Sequence, residues 1–307
     1  MHCKEKEVIN SFTKNGNGLI ELPYISKYHE GGELLYVDKK TGLLRSKLVL
    51  DSQEVLDYWS NIIFASKDPE DYSALNPFAH SRLLYVLLTI KNYITNVIVK
   101  KPNTIKLCDF ATGEGVFLNL CKTYFPEVQL SATEASEDLS NLLKKDGYKI
   151  EQRALGINSL EYKNITNLPN FATISWTLCN CIDPMKVLID IKSSIAEDAY
   201  ICVSESSRIM VPFKKMLSDY IPKKHPFDAH PFHFSAKSLS GLLTVCGFKP
   251  VFLNRYQDTD ILLIIAKKMP EGFHENEIEV DDPEGVCNFM HEWHQNTQFF
   301  KRYINNV

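Results

Sequence analysis

Residues 104–121 constrain the fold more than any other stretch of the chain. Thr104-Ile105-Lys106-Leu107-Cys108-Asp109 is a short apolar run with strand character, and Phe110-Ala111-Thr112-Gly113-Glu114-Gly115 places small residues directly behind it. Val116, Phe117, Leu120 and Cys121 then recur at a helical period. A strand that turns this sharply into a helix cannot stand alone. Its apolar run needs neighbouring strands, and its helix needs a sheet face to bury against. The small residues at 111, 113 and 115 let a ligand lie against the backbone, and the helix aims its N-terminus at that ligand.

The alternation continues downstream. Residues 128–133 read as a second strand, 136–145 as a helix stopped by Gly147, and 171–178 as a third strand. Residues 185–195 read as a helix, 200–204 as a fourth strand, and 238–245 as a helix with Gly247 at its C-cap position. Residues 249–253 and 261–267 form two closing strands with no helix between them, so one of the two is expected to run antiparallel. No strand can be placed within 155–170. The fold class is therefore α/β: a Rossmann-like, doubly wound, mostly parallel sheet with an antiparallel strand near the C-terminus. An N-terminal cap (1–80) precedes the central domain (81–270), and a C-terminal helical tail (271–307) follows it. Within the cap, turn signals lie at Asn15-Gly16-Asn17-Gly18, Gly31-Gly32 and Lys40-Thr41-Gly42. Residues 34–37 and 43–50 predict a hairpin. Asp51-Ser52-Gln53-Glu54 opens a helix that carries Val55, Leu56, Trp59, Ile62 and Ile63, and a second helix covers 80–99.

Charge and cysteine usage exclude several partners. Lys and Arg total 34 against 38 Asp and Glu, a net charge of -4, where a protein living on phosphate contacts carries a basic surplus. Nucleic acid is not the expected partner. The apolar stretch 83–99 is interrupted by Lys91 and Asn92, so no membrane partner is expected, and no apolar leader follows the charged start. The 8 cysteines include no CxxC pair and fit free thiols in a reducing, cytoplasmic compartment. The oligomeric state is left open.

Glu134 ends the second strand, 19 residues after Gly115. A carboxylate there can accept both ribose hydroxyls of a nucleoside; the alternatives are a solvated loop acid or a partner for the helix start at Ser136. The dinucleotide fingerprint fails at Leu118, where its third glycine belongs. Ligands of open α/β sheets sit outside the C-terminal strand ends, which places Trp176 and Thr177 near the reacting centre, although Trp176 also suits core packing. His230 and His233 lie in a polar and aromatic segment after the fourth strand, and either can act as a base near neutral pH or simply pack. Cys179 and Cys181 lack the second pair that a zinc site needs. Cys287, His291 and His294 share one face if helical, but Met290, Trp293 and Phe299 make an aromatic docking helix the preferred reading.

The run Leu107-Cys108-Asp109-Phe110-Ala111-Thr112-Gly113-Glu114-Gly115 resembles motif I of the S-adenosylmethionine (SAM) methyltransferases. From about residue 107 to 267 the chain is similar to their class I group, with Glu134 and Thr177 to Pro184 in order. The segment Asp228-Ala229-His230-Pro231-Phe232-His233-Phe234-Ser235, followed by Cys246-Gly247-Phe248, resembles the deoxysugar C-methyltransferases that act on nucleotide-linked sugars. In that group a Tyr-Asp-Glu-His run supplies catalytic groups. His230 matches its histidine, while Phe227 stands at the tyrosine and Ala229 at the glutamate. The group's zinc module needs four cysteines, and this N-terminus has Cys3 alone.

The resemblance implies SAM as cofactor, no metal, and a small-molecule acceptor such as a sugar or nucleotide-linked sugar, in sugar biosynthesis. It implies a cofactor site at Asp109, Phe110, Ala111, Thr112, Gly113, Gly115, Glu134, Trp176 and Thr177. His230 becomes the base and His233 its runner-up. Two other classes remain. A nicotinamide-dependent sugar oxidoreductase needs a small residue at Leu118 and a Tyr-x-x-x-Lys that 256–260 lacks. A non-catalytic SAM-binding or interaction protein is consistent with Phe227 and Ala229.

Overall fold

The computed structural model describes residues 18–28, 35–46, 52–65, 77–98, 102–157, 168–206, 216–217, 230–256, 261–271 and 278–304. The chain enters through antiparallel strands β1 (Leu19–Leu22), β2 (Leu35–Asp38) and β3 (Leu44–Ser46). The turn between β2 and β3 forms because Asp38 Oδ1 accepts from the backbone N–H of Lys40 and Thr41, at 2.8 and 2.9 Å. Helix α1 (Ser52–Ala65) and helix α2 (Pro77–Tyr93) follow. The hairpin, the helix over 51–63 and the helix over 80–99 are where the sequence placed them. Residues 47–50 and the glycine pair at 31–32 lie outside the described residues.

The central domain alternates as its periodicity requires: β4 (Lys106–Phe110), α3 (Val116–Tyr124), β5 (Gln129–Glu134), α4 (Glu137–Lys145), β6 (Ile150–Gln152), β7 (Phe171–Ser175), α5 (Pro184–Ser193) and β8 (Tyr200–Glu205). The two-residue strand β9 (Phe232–His233), α6 (Ala236–Val245), β10 (Phe248–Leu253), β11 (Leu262–Lys268) and the long α7 (Pro283–Ile304) complete it. The seven-stranded sheet has the order β10-β11-β8-β7-β4-β5-β6. Strands β6 to β8 are joined in parallel through β4, while β11 runs antiparallel to both β8 and β10. Helix starts are sealed by their own side chains. Ser136 Oγ accepts from Leu139 N, Asp183 Oδ1 from Lys186 N, and Ser235 with Ser238 forms a reciprocal capping box. Two apolar clusters cover the faces of the sheet, one built with α5 and α6 and the other with α2 and α3.

Three features differ from the sequence reading. The third parallel strand toward the edge is β6, upstream of 155–170; it is three residues long, too short to display a period. The strand read as 171–178 ends at Ser175 and gives way to a 3-10 turn, Leu178–Asn180. Strand β9 was not expected at all: it pairs His233 with Leu44 and Phe232 with Arg45, making a fourth strand of the N-terminal sheet.

The N-terminal sheet shares one apolar cluster with α7. Leu22, Ile25, Leu35, Val37 and Leu44 pack with Val286, Met290 and Trp293. Cap and tail therefore stabilise each other although they stand at opposite ends of the chain. Among the described residues no helix is long and apolar enough to cross a membrane. Trp293→Ala, which empties the centre of this cluster, is expected to lower unfolding stability by about 3–5 kcal/mol, read as a lower Tm and denaturant midpoint.

Candidate functional site

The site begins where β4 turns into α3. Strand order reverses at β4, with β5 on one side and β7 on the other, and such a switch point opens a crevice at the carboxyl ends of the strands. The turn is held from below by Asp109. Thr112 Oγ1 donates to its Oδ2 at 2.7 Å and Thr173 Oγ1 donates to its Oδ1 at 2.6 Å. Burial pushes the Asp109 carboxyl up to about 6, against the pull of these two hydroxyls. The turn is also tied to β5, because Ala111 N donates to Thr133 Oγ1 and Thr112 N to the Thr133 carbonyl oxygen.

Ala111, Gly113 and Gly115 all take positive φ, at 56°, 59° and 75°. The two glycines serve different ends. A Cβ at Gly113 would meet nothing within 4 Å, whereas a Cβ at Gly115 would lie 2.4 Å from Leu143 Cδ2 of α4. Gly113 keeps a space open; Gly115 lets two helices approach.

Glu134 at the tip of β5 faces that space. Its Oε2 accepts from Gly113 N at 2.8 Å and its Oε1 from Ser136 N at 2.9 Å. Burial raises its pKa, and the backbone N–H groups of Ser136, Gly113 and Ala135 oppose the rise. The carboxylate is thus both a partner of the helix start and a fixed acceptor whose remaining lone pairs suit hydroxyl donors.

A cavity of about 550 Å³ opens here. Ala111, Thr112, Gly113 and Glu134 line one part of it, and Trp176 and Thr177 another. Trp176 takes a positive φ of 49° just past β7, donates its N–H to the Ser204 carbonyl oxygen at 2.7 Å, and lies under the Arg82 guanidinium at 4.4 Å. The backbone N–H groups of Thr177 and Leu178 both donate to Glu205 Oε1, at 3.1 and 2.7 Å, which fixes the loop.

Phe110, Gly115 and His233 do not line the cavity. Phe110 is buried among the core side chains of the sheet, because alternate residues of a strand face opposite sides. Gly115 is taken up by Leu143, and His233 is buried in β9 opposite Leu44. His230 stands behind the wall. Its Nδ1 is 2.5 Å from Asn180 Oδ1, and its ring centre is 5.8 Å from that of Trp59; Asn180 and Trp59 are the residues that reach the cavity. Sequence reasoning missed Asn180, and it read Val55, Leu56 and Trp59 only as a helical stripe. No local signal marks them, since α1 reaches the strand ends only through the tertiary fold.

The thiols are occupied locally: Cys179 Sγ donates to Asn180 Oδ1 and Cys181 Sγ to the Thr177 carbonyl oxygen, both at 3.2 Å. Among the described residues no group of three or more His, Cys, Asp or Glu is arranged to hold a metal. On α7, His294 Nδ1 instead hydrogen-bonds Tyr28 OH at 2.6 Å, and the Tyr24 ring meets His291 edge-on and His294 at a tilt.

Comparison with known families decides what this turn belongs to. Residues 84–252, more than half of the chain, match the profile of the family described as "Methyltransferase domain". The chain belongs to that family. Solved structures of this fold are similar at low identity. A SAM-dependent methyltransferase from Aquifex aeolicus is 15% identical, with a TM-score of 0.45 and coverage of 68% of this chain and 97% of the other. Magnesium protoporphyrin IX methyltransferase from Synechocystis is 10% identical, with a TM-score of 0.48 and coverage of 71% and 100%. The 1,6-didemethyltoxoflavin-N1-methyltransferase of Burkholderia thailandensis is 15% identical, with a TM-score of 0.47 and coverage of 76% and 98%. No curated protein sequence matches the chain. Family membership rests on the profile match.

The methyltransferase uses S-adenosylmethionine, whose sulfonium carries the methyl group in activated form. The residues present fit it. Gly113 leaves room against the backbone, Glu134 is pinned as an acceptor, and Ser175 Oγ, on the cavity wall, is buried without a hydrogen-bond partner among the described residues. The two glycines should separate by experiment. Gly115→Ala adds overlap with Leu143 to a backbone strain of about 1–2 kcal/mol and should lower Tm markedly. Gly113→Ala should cost only the strain while weakening S-adenosylhomocysteine binding in calorimetry.

Proposed function

We propose that this methyltransferase acts on a small molecule, with Gly113 and Glu134 holding the nucleoside part of the cofactor and His230 serving as the acceptor's base. One observation carries the reading: the cofactor turn borders the same cavity of about 550 Å³ as Trp176, Asn180 and Trp59, with His230 directly behind Asn180 and Trp59, and α1 helps to enclose it. A space of that size suits a small ligand better than a polymer surface. Gly113, Ala111 and Thr112 offer backbone to the cofactor, Asp109 orders the turn beneath them, and Trp176 and Thr177 border the reacting region. Because an amide oxygen only accepts, the His230 nitrogen facing Asn180 carries the hydrogen, so the neutral ring holds its lone pair on Nε2. Positioning provides most of the rate in a transfer from an activated donor, and the cap excludes water.

The finer acceptor class is a sugar, on the resemblance around His230; residues 227–229 of that segment lie outside the described residues. The two described cations on the lining already face acids. Arg153 pairs with Asp190, and Lys186 lies 4.0 Å from Asp183. This disfavours a nucleotide-linked acceptor, whose phosphates would find no free cation among them. We place the protein in the cytoplasm, as a central domain over 81–270 capped by its two termini. A non-catalytic SAM-binding protein is the second reading, favoured by the position of His230 behind Asn180.

Calorimetry should show SAM and S-adenosylhomocysteine binding and no NADH binding, and Glu134→Ala should weaken the former by about 1–3 kcal/mol. Unchanged affinity would remove Glu134 from the site. Labelled methyl transfer from SAM to a pool of small metabolites separates enzyme from binder. His230→Ala should lower that transfer far more than cofactor affinity, and an unchanged rate would move the base elsewhere.

A further inference from the structure

Besides the Ser175 hydroxyl, two uncharged N–H donors on the cavity wall are left over once the bonds among the described residues are counted. The first belongs to Asn180. Its Oδ1 has two acceptor positions and both are used, by His230 Nδ1 at 2.5 Å and by Cys179 Sγ at 3.2 Å. Its Nδ2 has two hydrogens, and one goes to the Trp176 carbonyl oxygen at 3.1 Å. The other has no partner among the described residues. The carboxamide cannot flip without breaking the bonds that orient it, so the spare N–H is fixed in place.

The second donor is Trp59 Nε1, which is buried and has no hydrogen-bond partner among the described residues. Trp59 lines the same cavity, and its ring lies 5.8 Å from the His230 ring that Asn180 contacts. The two residues that carry the donors therefore both contact one imidazole. Val55 and Leu56 of α1 and Ile182 give the same lining apolar surface. Buried donors in native structures are almost always paired, and an orphan on a ligand cavity calls for a ligand atom.

We propose that Asn180 Nδ2–H and Trp59 Nε1–H form an acceptor-oxygen subsite that takes a small, largely apolar molecule presenting a phenolate or carbonyl oxygen. Paired N–H donors in a dry pocket are the arrangement that stabilises negative charge on an oxygen. The subsite departs from the sugar that the resemblance around His230 suggests, and rests only on the methyltransferase reading above for what fills the rest of the cavity.

The test uses the full chain loaded with S-adenosylhomocysteine and titrated with 4-nitrophenolate. The chain has three tryptophans, so three indole N–H signals, and Trp59→Phe assigns the relevant one while keeping an aromatic ring against His230. Saturable binding is expected to move the Trp59 indole proton downfield and to shift the visible band of the phenolate to shorter wavelength. Trp59→Phe should weaken binding about tenfold, and Asn180→Asp, which replaces the donor by an anion, should abolish it. 4-Nitroanisole, with the same ring and no oxyanion, should bind at least about tenfold more weakly. Equal binding of 4-nitroanisole, saturation without movement of the Trp59 signal, or no phenolate binding overturns the subsite. If S-adenosylhomocysteine itself gives no heat, the methyltransferase reading fails separately, and the same titration of the unloaded protein still decides the subsite.

Discussion

The carboxylate of Glu134 holds the site together. One oxygen receives the N–H of Gly113 in the turn after β4, and the other receives the N–H of Ser136 at the start of α4. A single side chain thereby joins two β-to-α connections on neighbouring strands. The Ser136 bond is buried and the Gly113 bond partly so, where hydrogen bonds to a charged group are worth more than in water and where losing one leaves an unsatisfied backbone N–H. The opening beside Gly113 persists because the turn cannot relax inward while Glu134 holds it from one side and Asp109 from below.

The cap extends this logic to the other half of the cavity. Helix α1 carries Val55, Leu56 and Trp59 to the strand ends. The N-terminal sheet draws on both ends of the chain: β9 completes it from the central domain, and α7 buries Met290 and Trp293 against it. The segment holding His230 and β9 is thus fastened to the cap through Ser46 N, which donates to the Pro231 carbonyl oxygen at 2.9 Å, and through the Leu44–His233 pair. Those contacts are the physical reason the His230 side of the cavity depends on sequence segments nearly two hundred residues apart.

Much of the fold was legible from local pattern. The strand-turn-helix at 104–121, the β-to-α alternation and the antiparallel closing pair follow from periodicity and from the missing helix between β10 and β11. Strand β6 was not legible, because three residues at an edge display no period, and β9 was not, because two residues take strand form only when β3 lies beside them. Within the site, Gly113 and Glu134 could be named from spacing, yet Phe110 and Gly115 could not be told apart from them. A turn rich in small residues does not reveal which of its members faces a ligand and which faces a helix.

The sequence by itself determined the alternation of strands and helices, the sharp turn after β4 and the acid at the tip of β5, since each depends on interactions within a few residues or on a repeating period. Only the tertiary structure decided which side chains meet across the cavity. It set Gly115 against Leu143, withdrew His233 into β9, and brought Trp59, Asn180 and His230 together from three separate segments. Such contacts have no local signature. They arise from the burial of distant apolar faces against one another, which fixes side-chain neighbours only when the whole chain is packed.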